Sequence, residues 1–249
     1  MIELDIVIPV YNEGGNIISV MESFKTHVKT PYRVLICYDM DEDDTLTALA
    51  DYPRNHAEIV YIKNQGTGPN MAIVAGLNAS SAPYVLVHMA DDDFNANVID
   101  QMVTKMKEGY DLVTGSRFVK GGCYTGAAWN KQILSRTASY SANLIAGLKV
   151  HDATNGFRLF SRRVIDNLEV ESTSGFAFTF ELLAKVNRLG WPVTEVPALW
   201  YERQVGRSRF QVFKWIWPYF EWYLYSLATV WLMRGPNSVK LRKSGESSN

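Results

Sequence analysis

The chain has 249 residues, 47% of them hydrophobic, which is enough for one large α/β domain or two smaller ones. Its formal net charge of -1 argues against nucleic acid as a partner, because nucleic-acid-binding proteins present an excess of basic residues. The two cysteines, Cys37 and Cys123, form no CxxC pair, so neither a disulfide scaffold nor a cysteine zinc site is indicated.

Apolar, β-rich segments alternate with helical patterns through the first half of the chain. Strands are predicted at residues 4–10, 33–38, 58–62, 84–88 and 111–114. Helices are predicted between them at residues 16–28, 44–51, 70–78 and 97–107. This alternation predicts an α/β fold with a mostly parallel central sheet flanked by helices. The first strand follows Met1 almost directly, which predicts no signal peptide and a cytoplasmic location.

The second half of the chain has a less regular pattern. Helices are predicted at residues 130–146 and 178–189, and a strand at 193–196. Residues 152–158 form a polar turn that leads into another short strand.

Polar, acidic or glycine residues follow every predicted strand of the first half. Ligands of parallel sheets bind beyond the carboxyl ends of the strands, so these residues predict a polar ligand site at that edge. The five segments are Pro9-Val10-Tyr11-Asn12-Glu13, Asp39-Met40-Asp41-Glu42-Asp43-Asp44-Thr45, Asn64-Gln65-Gly66-Thr67-Gly68, Asp91-Asp92-Asp93 and Gly115-Ser116-Arg117.

Asp91 and Asp93 have the DxD spacing at a strand end and are predicted to hold Mg²⁺ or Mn²⁺. Hard cations of this kind bind carboxylate oxygens together with substrate phosphates, and they neutralise a leaving diphosphate. The alternative is that Asp93 or Asn95 only caps the helix that starts near Asn97.

Asp39, after the second strand, is predicted to accept hydrogen bonds from a nucleotide base or ribose. The alternative is a solvated loop whose Asp44 or Thr45 caps the next helix, and this is expected for Asp41, Glu42 and Asp44. No GxGxxG follows the first strand and no GxxxxGK[ST] occurs, which disfavours a Rossmann dehydrogenase and a P-loop NTPase.

Taken in order, the motifs PVYNE, Asp39, GTG, ADDD, GSRFVKGG, HDATNGFRLF, FELL, EVP and RQVGRSR resemble those of family 2 glycosyltransferases, which have the GT-A fold. Within that family the chain is most similar to dolichyl-phosphate mannose synthases and bacterial polyprenyl-phosphate sugar transferases. The resemblance covers about residues 5–209 and implies a metal-dependent, inverting transfer of a sugar. The implied donor is a UDP- or GDP-sugar, and the implied acceptor is a polyprenyl phosphate or a cell-surface glycan.

The resemblance also implies roles for individual residues. The nucleotide-sugar site would contain Pro9, Tyr11, Asn12, Glu13, Asp39, Gly68, Ala90 and Asp91. Asp91 and Asp93 would hold the metal, while the diphosphate would meet Arg117, Arg203 and Arg209. Lys131 and Ser135 match positions at which relatives bind an acceptor phosphate.

The chain departs from the family pattern at several positions. Met89 stands where relatives have the first aspartate of DxD, so one metal ligand is either lost or replaced by Asp93. Arg209 replaces the usual lysine, and the glycine loop is two residues longer, through Pro69 and Asn70. Two C-terminal transmembrane helices that some relatives carry are absent from this sequence.

Glu181 lies where relatives that use a hydroxyl acceptor place a carboxylate, which implies a general base. The alternative is an ordinary helix ion pair with Lys185 four residues later. Two further functions stay open at this point. One is a catalytically degraded sugar-nucleotide-binding protein, which Met89 favours, and the other is a nucleotidyltransferase of similar fold.

The division predicted for the chain is a catalytic domain at residues 1–209, an aromatic amphipathic helical segment at 210–234 and a flexible polar tail at 235–249. One face of the segment carries Phe210, Phe213, Trp217, Phe220, Leu224, Leu227 and Trp231. Pro218 is predicted to start its helix, which reaches about 24 Å to Met233 and is too short to span a bilayer.

The segment is therefore predicted to lie on the inner face of the cell membrane without crossing it. Basic residues that follow the segment suit anionic lipid: Arg234, Lys240, Arg242 and Lys243. The alternative is that the aromatic face packs on the catalytic domain or on a second subunit.

Overall fold

A computed structural model describes residues 1–53, 56–173, 175–201 and 212–242, with side chains described from Trp217 onward in the last of these ranges. Its centre is a seven-stranded sheet in the order β3-β2-β1-β4-β7-β5-β8. The strands are β1 Leu4–Pro9, β2 Tyr32–Tyr38, β3 Glu58–Lys63, β4 Tyr84–Val87, β5 Leu112–Ser116, β7 Arg158–Ser161 and β8 Val193–Pro197. All neighbouring strands are parallel except β7, which runs antiparallel to β4 and β5.

Helices cover both faces of this sheet, because its strands are apolar on both sides. They are α1 Ile17–His27, α2 Asp44–Ala50, α3 Pro69–Ala79, α4 Ala96–Lys107, α5 Trp129–Leu144, α6 Arg162–Asn167, α7 Ala177–Arg188 and α8 Val212–Trp231. Phe24 and Ile99 pack on one face, while Ile73 and Phe178 pack on the other. The predicted α/β fold with a mostly parallel sheet is confirmed.

The order of the strands places a crevice at the carboxyl ends of β1 and β4. The chain runs outward from β1 to β2 and β3, then returns to the other side of β1 as β4. Such a reversal of strand order is where open α/β sheets bind ligands. The loops that carry Tyr11 and Asp91 follow these two strands, so both lie at the crevice.

A small parallel sheet stands beside this edge. It pairs β6, Cys123–Thr125, with β9, Leu199–Tyr201. Together with α5, α7 and α8, it encloses the space in front of β4.

Three sequence expectations need correction here. Pro69 is the first residue of α3, where proline is favoured, so Pro69 and Asn70 belong to the helix and the glycine loop ends at Gly68. Helix α8 begins at Val212, not at Pro218, and holds Pro218 in its interior. A proline inside a helix removes one helical hydrogen bond. Helix α8 nevertheless continues through Pro218, and it packs against α7.

The third correction concerns the predicted flexible tail, which is anchored as far as residue 242. Val239 is buried, and Leu241 pairs with Leu168 as a β-bridge. Arg242 donates to the carbonyl of Leu168 (3.1 Å) and to the side chain of Asn78 (2.7 Å). Residues 243–249 lie outside the described part of the chain.

Candidate active site

The loop after β1 is fixed to the start of α2 by three backbone N–H groups. Those of residues 12–14 donate in turn to the side chains of Asp43, Thr45 and Asp44, at 3.1, 2.9 and 2.8 Å. Asp43 also accepts from the backbone N–H of Thr45 (2.9 Å) and is the residue that caps α2. The expectation of a cap at Asp44 or Thr45 was therefore wrong, although both residues hold this loop.

Asp39 ties the glycine loop to the end of β2. Its carboxylate accepts from the backbone N–H of Gly68 (2.7 Å) and from the amide of Asn64 (2.9 Å). Gly68 has φ +92°, a left-handed conformation that favours glycine. Asp39 and Gly68 thus lie together at the sheet edge, and their contact with a nucleotide stays a prediction.

The other predicted nucleotide residues lie at the same edge with different exposures. Pro9 is half-buried, Ala90 is buried, and Tyr11 is 44% exposed. Asn12 has φ 54°, and the Glu13 carboxylate accepts from the amide of Asn16 (2.8 Å). Their positions are compatible with a nucleotide that lies across the ends of β1 and β2.

The three successive aspartates after β4 have three different environments. Asp91 is half-buried and lines a cavity, whereas Asp93 is exposed and lies outside the cavity lining. Asp92 is buried, and its carboxylate accepts from the backbone N–H (3.1 Å) and the side-chain amide (2.7 Å) of Asn95. Burial raises the pKa of Asp92, while the nearby His88 and these two hydrogen bonds act to lower it.

The capping alternative for these residues is not borne out. Asn95 occupies the N-cap position of α4, but its side chain makes no capping hydrogen bond to the helix. Asp93 likewise has no capping role, since the carboxylate that accepts from the backbone N–H of Asn95 belongs to Asp92. Neither Asp93 nor Asn95 therefore caps α4 through its side chain.

A cavity of about 410 Å³ opens in front of Asp91, a volume within the range of small-molecule sites. Aromatic and aliphatic side chains form most of its wall. Its aromatic lining comprises Phe94, Tyr124, Phe157, Phe176, Phe180, Trp200, Tyr201, Tyr219, Phe220 and Tyr223. Met89 lines it too, where the family pattern has an aspartate, with its terminal methyl close to Gly156.

Arg117 lines the cavity as expected, but a buried partner holds its guanidinium. Nε and Nη2 donate to the two oxygens of Asp152 at 2.7 and 2.8 Å, and Nη2 also donates to Thr154 (2.7 Å). The guanidinium stacks on the ring of Tyr124, with its carbon 4.5 Å from the ring centroid. This pair fixes the plane of the guanidinium and does not involve Nη1.

The Arg117–Asp152 pair is ionised despite its burial. Burial acts to lower the pKa of Arg117, but the charge and hydrogen bonds of Asp152 outweigh it and raise that pKa. Burial likewise acts to raise the pKa of Asp152, while Arg117 holds it below its usual range. Beneath them, burial lowers the pKa of Arg158 to about 10, and this side chain donates to the carbonyls of Ala153 and Thr179.

Lys131 and Ser135 both line the cavity, one helical turn apart on α5. The hydroxyl oxygen of Ser135 is buried and has no hydrogen-bond partner among the described residues. Arg117, Lys131 and Ser135 therefore bring two cations and a hydroxyl to one cavity. Such a set suits an anionic oxygen ligand.

Glu181 does not line the cavity, and the expectation of a catalytic base there is corrected. Its carboxylate is fully buried and accepts from the backbone N–H groups of Glu171 (2.7 Å) and Ser172 (2.8 Å). It also pairs with the buried ammonium of Lys185 at 2.7 Å. The helix ion pair, which was the alternative interpretation, therefore describes this residue.

Glu181→Gln is accordingly expected to lower stability and to spare catalysis. Loss of one partner of a buried pair costs about 3 kcal/mol, because the other charge stays desolvated. Urea unfolding should show this loss, while turnover well below the melting temperature stays within about three-fold of wild type. Glu42→Gln, an exposed site, is the control. A loss of several orders of magnitude in turnover by folded Glu181→Gln would restore the base assignment.

Arg203 and Arg209 lie outside the described residues, so their predicted contact with the diphosphate stays a prediction. The sequence suggested Asn95 only as a helix cap, and it did not predict Asp152 or the aromatic wall as parts of the site. Asp152 stands within the motif HDATNGFRLF and could have been found there as a buried acid beside the GSRF arginine.

A family model described as "Glycosyl transferase family 2" matches residues 5–169, well over half of the chain. The chain belongs to glycosyl transferase family 2. Polyprenol monophosphomannose synthase of Mycolicibacterium smegmatis is 29% identical to it over 214 residues, which cover 82% of this chain and 79% of that protein. The predicted resemblance to the dolichyl-phosphate mannose synthase branch is confirmed, and the protein is a glycosyltransferase.

Solved structures of similar fold come from glucosyl-3-phosphoglycerate synthase of Mycobacterium tuberculosis. Its complex with UDP has a TM-score of 0.65 at 18% identity, covering 91% of this chain and 80% of that one. Its complex with Mn²⁺, UDP-glucose and phosphoglyceric acid has a TM-score of 0.66 at 19% identity, with the same coverage. At these identities the likeness supports the GT-A fold, and family membership sets the nucleotidyltransferase alternative aside.

Proposed function

We propose that this enzyme transfers one hexose, with inversion, from a nucleoside-diphosphate sugar to the phosphate of a polyprenyl lipid. The observation that carries the proposal is the cavity lining. It combines Arg117, Lys131 and Ser135 with apolar and aromatic walls, and its carboxylates are Asp91 and Asp92. Asp92 is buried and bonded to Asn95, whereas Asp91 is half-buried and lines the cavity, so we assign the substrate-facing role to Asp91.

Among the described residues few carboxylates line the cavity, and this favours a phosphate acceptor. A hydroxyl acceptor needs a general base, and Glu181 is engaged elsewhere. A phosphate oxygen is already anionic and needs none. Polyprenol monophosphomannose synthase, by its name, acts on a polyprenol, and its similarity supports a lipid acceptor here.

For the donor we propose the crevice at the ends of β1, β2 and β4. The nucleoside would lie against Pro9, Tyr11, Asn12, Glu13, Asp39, Gly68 and Ala90, with the diphosphate toward Asp91. The related fold of an enzyme solved with UDP-glucose and Mn²⁺ supports this placement.

A divalent cation fits this site on the chemistry of its donors. Among the described residues no three acidic, histidine or cysteine side chains group closely enough to hold a metal by themselves. Mg²⁺ and Mn²⁺ commonly use one or two carboxylates and take the remaining oxygens from substrate phosphates and water. Asp91, with Asp93 as a second donor, would hold such an ion, which neutralises charge on the departing diphosphate.

The chain's own residues would then orient the reaction. Arg117, which the resemblance assigned to the donor diphosphate, would here hold the acceptor phosphate together with Lys131, and Ser135 would donate to one of its oxygens. That oxygen forms the new bond to the anomeric carbon as the bond from this carbon to the nucleoside diphosphate breaks. The electron pair leaves with the diphosphate, and attack from the opposite face inverts the anomeric configuration.

A donor and acceptor screen tests this function. The purified enzyme is incubated with Mn²⁺ and each of several UDP- and GDP-hexoses, with either a polyprenyl phosphate or a glycan. The expected product is a polyprenyl phosphohexose whose anomeric configuration, read by NMR, is opposite to that of the donor. Transfer to the glycan alone favours the hydroxyl-acceptor alternative, and nucleotide binding without any transfer favours the degraded binding protein.

We further propose that α5 and α8 rest on a membrane surface, where a lipid acceptor resides. Among the described helices, none has the length and apolar character to cross a bilayer. Large apolar side chains are nevertheless exposed on both, with Trp129 at 75% and Trp217 at 71%. Further exposed members are Ile133, Leu144, Phe220, Leu224 and Trp231. The two helices meet where the Trp231 indole donates to the carbonyl of Ile145 (3.1 Å).

Aromatic rather than basic residues are expected to carry this contact. Lys240 pairs with Glu169 at 3.0 Å and Arg242 is bonded to Asn78, so both charges are engaged within the protein. Tryptophan favours the headgroup level of a bilayer. Binding should therefore persist on neutral vesicles and depend only weakly on salt.

Vesicle flotation tests this surface. The double variant Trp129→Ser, Trp217→Ser should lower the bound fraction about ten-fold or more, because it removes two large apolar side chains from the interface. Ile18→Ser, on α1, is the matched control and should bind like wild type. Wild-type protein that stays in the soluble fraction with neutral and anionic vesicles contradicts the proposal. A dimer in solution would then account for the aromatic face.

A further inference from the structure

Asn95 joins two separate parts of the cavity through one buried carboxamide. Its side-chain oxygen accepts from the backbone N–H of Leu199 (2.8 Å), and its Nδ2 donates to the backbone carbonyl of Leu199 (2.9 Å). The same Nδ2 donates to Asp92 (2.7 Å), which also accepts from the backbone N–H of Asn95 (3.1 Å). The residue is 2% exposed.

The side chain of Asn95 pairs with the edge of the small β6–β9 sheet as the backbone of a further strand would. Leu199 begins β9, whose other edge pairs with β6. Asn95 offers a donor and an acceptor to the backbone of Leu199 and so takes the position that another strand would occupy. The bonds span 104 residues of sequence and connect the loop after β4 to the small sheet.

Both connected parts line the cavity. The loop after β4 contributes Asp91, while the small sheet contributes Tyr124, Trp200 and Tyr201. Asp92, the immediate neighbour of Asp91, accepts two hydrogen bonds from Asn95 and lies 4.0 Å from Nε2 of His88. Its backbone N–H closes a turn on Met89 (3.3 Å). A change in the Asn95 contacts is therefore expected to alter the position of Asp91 relative to the aromatic wall.

We infer that Asn95 is a positioning residue that sets Asp91 against the β6–β9 wall. It acts through Asp92 and through the backbone of Leu199. The inference rests on the proposed function, because it assigns Asp91 to the donor diphosphate and its cation. It adds a residue outside the DxD spacing to the machinery that holds them.

The carboxamide is chemically required for this role. Aspartate has the same shape but no N–H donor, so it loses the bonds to the Leu199 carbonyl and to Asp92. It also places a second carboxylate beside Asp92, and like charges at this distance repel. Alanine leaves both backbone groups of Leu199 without this partner, and buried unpaired groups destabilise the local structure.

The experiment compares Asn95→Asp with Asn97→Asp, which makes the same charge change at an exposed position two residues away. Asn95→Ala adds no charge and serves if Asn95→Asp does not fold. Three quantities are measured for each: melting temperature by circular dichroism, kcat and KM for sugar transfer, and Kd for UDP and GDP with Mn²⁺ by calorimetry. Activity is expressed per folded molecule.

For Asn95→Asp we expect kcat to fall at least 30-fold and nucleotide affinity in the presence of Mn²⁺ to weaken at least five-fold. Asn97→Asp should stay within two-fold of wild type. The inference is overturned if the folded Asn95 variants keep kcat and affinity within two-fold while only their melting temperature falls. A wild type that binds nucleotide without transferring sugar overturns the proposed function, and the affinity comparison still decides the role of Asn95.

Discussion

Asp91→Asn is expected to lower kcat at least about 1,000-fold, equivalent to roughly 4 kcal/mol of transition-state stabilisation. Asparagine keeps the shape of the side chain but removes the charge that holds a cation against the diphosphate. The fold should tolerate the change, because Asp91 is half-buried at the cavity and asparagine fills the same volume. Steady-state kinetics over a range of Mg²⁺ and Mn²⁺ concentrations measure the effect.

The neighbouring aspartates supply matched controls for this result. Asp93→Asn removes an exposed carboxylate and should lower kcat only about ten-fold or less, as a secondary donor would. Asp92→Asn should lower stability, because it alters a buried carboxylate that accepts two bonds from Asn95. Near-normal turnover of Asp91→Asn with both Mg²⁺ and Mn²⁺ would contradict the assignment of Asp91 as the carboxylate that holds the cation.

Much of this fold could be predicted because its signals are local and repeated. Each of the first four strands is an apolar run followed by a helical pattern, so their parallel arrangement follows from chain order. The same reasoning brings the carboxyl ends together, which is why Tyr11, Asp39 and Asp91 were expected at one edge. Antiparallel β7 has no such signal, since the sequence does not say which neighbours a short strand joins.

The features that the sequence left open depend on contacts between distant residues. A glutamate four residues before a lysine fits both a helix ion pair and a catalytic base. The ion pair is assigned to Glu181 because its buried carboxylate accepts from the backbone N–H groups of Glu171 and Ser172. The bond from Asn95 to Leu199 crosses 104 residues and leaves no periodic pattern. Pro218 suits a helix start by local rules, whereas α8 begins before it.

The environment of Arg117 makes its substitution informative about acceptor binding. Arg117→Gln is expected to lower kcat about 100-fold, the scale seen when one group that stabilises transition-state charge is lost. It should also lower stability by roughly 3 kcal/mol, because Asp152 would keep a buried charge without its main partner. Taken alone, the single variant mixes these two effects.

The double variant Arg117→Gln, Asp152→Asn separates catalysis from folding. Removal of both charges ends the burial of an unpaired carboxylate, so part of the lost stability should return, although the buried Arg158 loses the favourable charge of Asp152. Arg158 keeps its bonds to the carbonyls of Ala153 and Thr179 in this background. If Arg117 holds the acceptor phosphate, the turnover of the double variant stays about 100-fold below wild type despite the recovered stability. Its KM for the lipid phosphate is then also higher than that of the wild type. If turnover returns with stability, Arg117 only supports the cavity wall, and Lys131 with Ser135 must bind the acceptor.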